Sequence, residues 1–163
     1  MNGKLYFTRQ GLAKLQKETE ELEARLKELQ AQTAHVAEVG GDLWHDNASY
    51  DLLVIDIRGM DRRVSDAHQQ LSQAVLIEPP TDFDRVAVGT RVRIMQDQEE
   101  MTLEIVGFGE SDPDHDKLAY NTPLALAIMG KQKGEVISRT GAGKRIEIRI
   151  LEISKGGENV SGA

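Results

Sequence analysis

The chain has 163 residues, 39% of them hydrophobic and only 4% aromatic, enough for one ordinary domain or two small ones with aliphatic cores. There is no cysteine, which excludes disulfides, thiolate metal sites and thiol nucleophiles, and no apolar run approaches the roughly 20 residues needed to span a bilayer. A formal charge of −7 argues against tight, autonomous DNA binding, so a soluble cytoplasmic protein with no membrane attachment is expected.

Thr8 followed by Gly11, Leu12 and Leu15 predicts an N-cap and a helix start, the hydroxyl accepting from an unpaired backbone N–H. Leu15, Leu22, Leu29 and Val36 then recur every seven residues, with Leu12 and Leu26 on the intervening seam positions. That spacing is a coiled-coil stripe, weakened by Thr19 and Thr33 on the same seam. A second stripe combines Leu53, Met60, Ala67 and Ala74 with Ile57, Val64 and Leu71. Between the stripes lies GGDLWHDNASYD, where Gly40-Gly41 breaks the first helix and Asp46 or Asn47 suits the N-cap of the second. The expected arrangement is an antiparallel hairpin over residues 1–77, about 40 Å long at about 1.5 Å per residue, with an acidic tip at 40–50. The second helix is expected to end near Leu76 or Ile77, before Pro79-Pro80, with a linker at 78–84.

Beyond the linker the period shortens. Strands are expected at 91–95, 101–108, 117–120, 135–140 and 144–153, the last with Ile146, Ile148, Ile150 and Ile153 among charged residues. TPLALAIMGK predicts one short helix with Thr122 as cap and Pro123 at its first position, and TGAGK a hairpin turn. Residues 85–155 therefore form a mainly β domain, and 156–163 a small, polar, disordered tail. The fold class is α+β.

Three segments, in order, resemble the GreA/GreB family: Thr8 to Leu15, the tip Gly41-Asp42-Leu43 with Asp46 to Tyr50, and Asn121 to Glu135. The resemblance spans nearly the whole chain. It implies an N-terminal coiled-coil finger and a C-terminal FKBP-like domain, in a factor that docks at the rim of the RNA polymerase secondary channel. There the finger reaches the active site, and the polymerase cleaves the backtracked 3′ end of its own RNA. By this resemblance Asp42 and Asp46 are the acids that share the polymerase's Mg²⁺, and the nascent RNA is met only indirectly. No tightly bound cofactor and no enzymatic activity of its own are implied, and a monomer is expected.

The family tip usually reads Gly-Asp-Leu-x-Glu-Asn-Ala-Glu-Tyr. Here one residue is added and the Glu has become Asp46. Without the family, Asp42 and Asp46 read as solvated loop acids or helix caps rather than as metal ligands. Trp44 has two readings, stacking on a base or polymerase element or folding back to close the hairpin; His45 contacts phosphate or assists proton transfer, or is simply exposed. Leu43, Asn47 and Tyr50 complete the tip contacts, the last two by capping and packing the second helix. Asp112, Pro113, Asn121, Thr122 and Pro123 match the family's acidic loop and helix start, which the resemblance places against the polymerase. Three rivals stand beside this reading: a channel-occupying inhibitor of the same fold, a proline isomerase or chaperone, and a coiled-coil adaptor.

Overall fold

The computed structural model describes residues 3–39 and 48–157, which divide into two compact units, residues 13–74 and residues 1–12 with 75–163. The first unit is a helix pair. Helix α1 (Arg9–Val39) and helix α2 (Ala48–Gln73) carry the two heptad stripes. Every described seam residue, from Leu15 to Val36 and from Leu53 to Leu71, is buried or half-buried, with Leu29 and Ala67 the most enclosed apolar ones. Glu23 Oε1 lies 2.6 Å from His68 Nε2. Glu23 stands roughly as far before the end of α1 as His68 stands after the start of α2, so the helices run antiparallel. Thr19 is buried in the seam because its hydroxyl donates to the Leu15 carbonyl at 2.7 Å, and Thr33 bonds the Leu29 carbonyl likewise at 3.0 Å. Each polar seam position is thereby satisfied within its own helix.

Helix α2 stops at Gln73, earlier than the expected Leu76 or Ile77, because Ala74–Leu76 form a strand, β2, paired with strand β1 (Leu5–Phe7). The Ile77 amide also donates to the Phe7 carbonyl at 2.8 Å. Backbone pairing to a distant strand satisfies groups that another helical turn would have satisfied locally.

The second unit is built on a five-stranded sheet. Strands β3 (Thr90–Gln96), β4 (Glu99–Val106), β5 (Lys117–Ala119), β6 (Val136–Gly141) and β7 (Lys144–Lys155) lie in the order β5-β4-β3-β7-β6, antiparallel except for β4 with β5. All five expected strands are present. One sheet face, with Val92, Ile94, Ile105, Ile148 and Ile150, packs under helix α3 (Pro123–Ile128), which contributes Ala125 and Ile128. The isoleucines of β7 break the period of two between Ile150 and Ile153. A bulge repairs it: Arg93 pairs with Glu152 but Ile94 with Ile150, so Leu151 is the extra residue and Ile153 returns to the core side. TGAGK makes the expected hairpin turn, Ala142 and Gly143 both taking positive φ of 49° and 75°.

Two local expectations change. Thr122 sits at the N-cap of α3 with Pro123 following, but its hydroxyl makes no cap bond and instead donates to the Ala119 carbonyl at 2.8 Å, closing the turn after β5. Gly156, placed in the tail by composition, donates its N–H to the Gly89 carbonyl at 2.9 Å. A Cβ at Gly156 would stand 2.7 Å from that same oxygen.

Candidate functional site

The finger's two helices converge on the connection between Val39 and Ala48. Asp42, Leu43, Trp44, His45, Asp46 and Asn47 all fall there and lie outside the described residues. Of the expected tip contacts only Tyr50 is described, half-buried on the first turn of α2. Asp51 follows it in that turn, where a carboxylate is favoured by the partial positive charge of the unpaired N–H groups. Farther along, Leu52 and Ile55 stand off the seam and are mostly exposed.

The residues expected to dock lie along the edge strand β5. Asp112 and Pro113 precede it, and Asn121, Thr122 and Pro123 follow it, so the strand separates the two sets. Asp112 exchanges backbone hydrogen bonds with Lys117, at 3.0 and 2.9 Å, and its side chain accepts from the Asp114 amide at 3.2 Å. That caps a single 3₁₀ turn, Pro113–His115, which closes with Asp116 in the left-handed region at φ 56°. Asp112 Oδ2 also lies 2.7 Å from His115 Nδ1, and this hydrogen bond holds the Asp112 carboxyl below its ordinary value of 3.8. On the following helix Leu126 is 62% exposed.

One polar constellation has no counterpart in the sequence reading. Thr8 does cap α1, its Oγ1 accepting from the Gly11 amide at 3.1 Å, but its hydroxyl in turn donates to Glu110 Oε1, and its amide to Glu110 Oε2 at 3.3 Å. The Glu110 carboxylate occupies the space that a side chain at Gly11 or Gly107 would need. At Gly107 a Cβ would also come within 2.9 Å of the Phe7 Cα and the Thr8 nitrogen. Around it, Tyr6 meets Tyr120 and Phe7 meets Phe108 edge to face at 5.6 and 5.8 Å, and the Phe108 amide donates to the Tyr6 carbonyl at 2.7 Å. The start of α1 is thus built into the β unit. Leu5-Tyr6-Phe7 carried a faint signal in its β-forming aromatics. Nothing local pointed to Glu110, which is 102 residues from Thr8.

A cleft of about 520 Å³ opens beside this cluster, floored by Ile77, Pro79, Val88 and Val106 and rimmed by charged side chains. Its apolar lining is aliphatic, without the aromatic side chains that a proline-binding cavity uses.

Residues 80–155 match the family described as transcription elongation factor, GreA/GreB, C-terminal. Transcription elongation factor GreA of Nitratiruptor sp. is 31% identical over 156 residues, covering 94% of each chain, and that of Shouchella clausii is 32% identical over 153 residues, covering 92% of this chain and 96% of its own. Among solved structures, GreA factor homolog 1 (Gfh1) of Thermus thermophilus is similar with a TM-score of 0.44 and 21% identity, covering 92% of this chain and 98% of its own. With near-complete mutual coverage by relatives above 30% identity, the chain belongs to the GreA/GreB family of transcription elongation factors.

Proposed function

We propose that the protein binds bacterial RNA polymerase, inserts its helical hairpin into the secondary channel and stimulates the polymerase to cleave backtracked RNA. The observation that carries this reading is the presence of two acids, Asp42 and Asp46, in the short connection between two antiparallel helices, in a chain of this family. Two carboxylates suit a hard divalent cation that keeps most of its coordination sphere for water and substrate. When bound, the polymerase's Mg²⁺ supplies charge neutralisation at the attacking and leaving oxygens. The chain's part is to bring the two acids there. It acts as an accessory factor and has no nuclease activity alone. Asp112, Pro113 and Asn121 to Pro123 form the docking edge, and Leu43, Trp44, His45, Asn47 and Tyr50 make the remaining tip contacts.

A backtracked elongation complex with end-labelled RNA, given the protein and Mg²⁺, is expected to shorten its transcript. Asp42→Ala and Asp46→Ala are each expected to lower the cleavage rate by about 100-fold, the scale of losing one electrostatic contributor to a transition state, while still competing for the polymerase. Undiminished cleavage in both variants would overturn the assignment. The added residue in the tip and the Glu-to-Asp change favour a second reading, in which the protein occupies the channel and restrains synthesis without cleavage. Competition with an active Gre factor, but no transcript shortening, would select it.

A further inference from the structure

Charge is distributed unevenly along this chain. Residues 131–149 hold Lys131, Lys133, Arg139, Lys144, Arg145 and Arg149 against Glu135 and Glu147, a net +4 inside a chain of net −7. The sheet gathers these cations at its β6–β7 end, Arg145 and Arg149 on the face of Val136 and Thr140, and Arg139 on the opposite face with Ile137. Strand β6 ends the sheet order, with β7 on one side and, among the described residues, no strand on the other. Lys131 and Lys133 precede it, Arg139 lies within it, and Lys144 and Arg145 flank its turn. Arg149 stands beside Val136 in register.

None of the six makes an ion pair among the described residues; Arg145 only reaches the Ser138 hydroxyl, at 3.3 Å. The two arginines of β3 differ: Arg91 is tied to Glu104, and Arg93 to Glu100 and Glu152. Of the two local acids, Glu135 is turned onto the Gln132 amide, and Glu147 lies in register with Ser138. Because the Ile150 amide bonds the Glu135 carbonyl, alternation aims the main-chain groups of Val136, Ser138 and Thr140 away from β7. The edge therefore offers unpaired cations, two exposed hydroxyls and free backbone N–H groups over six residues, about 20 Å at about 3.4 Å each. Those are the donors that contact nucleic-acid phosphates.

We propose that the β6 edge of the β unit is a surface for the phosphodiester backbone of nucleic acid. The contact is sequence-independent, since hydrogen bonds to phosphate carry no base information, and it is weak because the chain as a whole is acidic. It adds a nucleic-acid contact to the proposed polymerase contacts, at residues with no part in the tip.

The test is fluorescence anisotropy of a short labelled DNA duplex titrated with the full chain, polymerase being absent so that failure leaves the cleavage reading untouched. Neutralising about three phosphates at about 0.9 each predicts affinity about 40-fold weaker at about 200 mM than at about 50 mM salt. The triple change Lys144→Gln, Arg145→Gln and Arg149→Gln is expected to weaken low-salt binding at least about tenfold and flatten the salt slope. Ser138→Asp, which keeps every cation, is expected to weaken it as well, while Lys14→Gln with Lys17→Gln in the finger leaves it unchanged. No binding at low salt, binding indifferent to the β6 variants, or equal affinity for polyglutamate each overturns the proposal, the last in favour of an acidic protein partner. An edge kept basic only to block strand pairing would ignore the duplex and self-associate once neutralised, which overturns it too.

Discussion

The finger and the β unit are stabilised in different ways. In the β unit, nine apolar residues with exposures of 0–5% form one continuous cluster between a sheet face and α3. In the finger only Leu29, Ala67 and the polar Thr19 approach that enclosure, and the other described seam residues remain partly in water. Two helices alone cannot surround a side chain, whereas a sheet with a helix across it can. The comparison teaches that the finger is the part whose amides open most readily, since local stability follows buried apolar contact.

The largest expected effect tests the β unit. Ile148→Ala removes a fully buried side chain at the centre of the cluster and is expected to cost about 3 kcal/mol, read as a lowered denaturation midpoint with loss of protection in β3 and β7. Leu29→Ala sharpens the contrast from the other side. Its expected cost is about 2 kcal/mol, because a seam open to solvent can partly collapse, and hydrogen exchange should quicken in α1 and α2 but not in the sheet. Equal acceleration through both units would break the comparison by showing a single cooperative structure.

The smallest effect is electrostatic. His115→Ala removes the hydrogen bond that depresses Asp112, so the carboxyl should titrate closer to 3.8 in an NMR pH series. The sign follows from a lowered folded-state value: the pair contributes above the ordinary carboxylate value and is lost as pH falls through the depressed one. Wild type and variant should therefore converge in stability at the acid end. Both groups are largely exposed, so the titration, rather than the midpoint, is the sensitive measurement.

Much of this architecture is present in local sequence pattern. The heptad spacing from Leu12 to Val36 and from Leu53 to Leu71 names the seam residue by residue, because a helix's period is a property of its own backbone. The five strands and α3 follow from alternation and from Thr122-Pro123 in the same way. The acids of the tip are legible as residue types at a spacing, and the docking residues as a motif along the chain; their roles in the polymerase are proposals that sequence pattern and family membership motivate.

Tertiary structure decided what no window of neighbours contains. Strands of three residues at Leu5–Phe7 and Ala74–Leu76 are too short to show a period and exist because each supplies the other's hydrogen bonds. The bulge that returns Ile153 to the core depends on β3 lying alongside β7. Glu110 became a partner of Thr8, and Gly107 a position with no room for a side chain, only when β1 came to rest against the end of β4. The run of cations at 131–149 is local in the sequence, but its place at the end of the sheet depends on β6 being the last strand in the sheet order. Period and composition are local, but long-range pairing fixes who meets whom, and that is where the physical reason for each of these features lies.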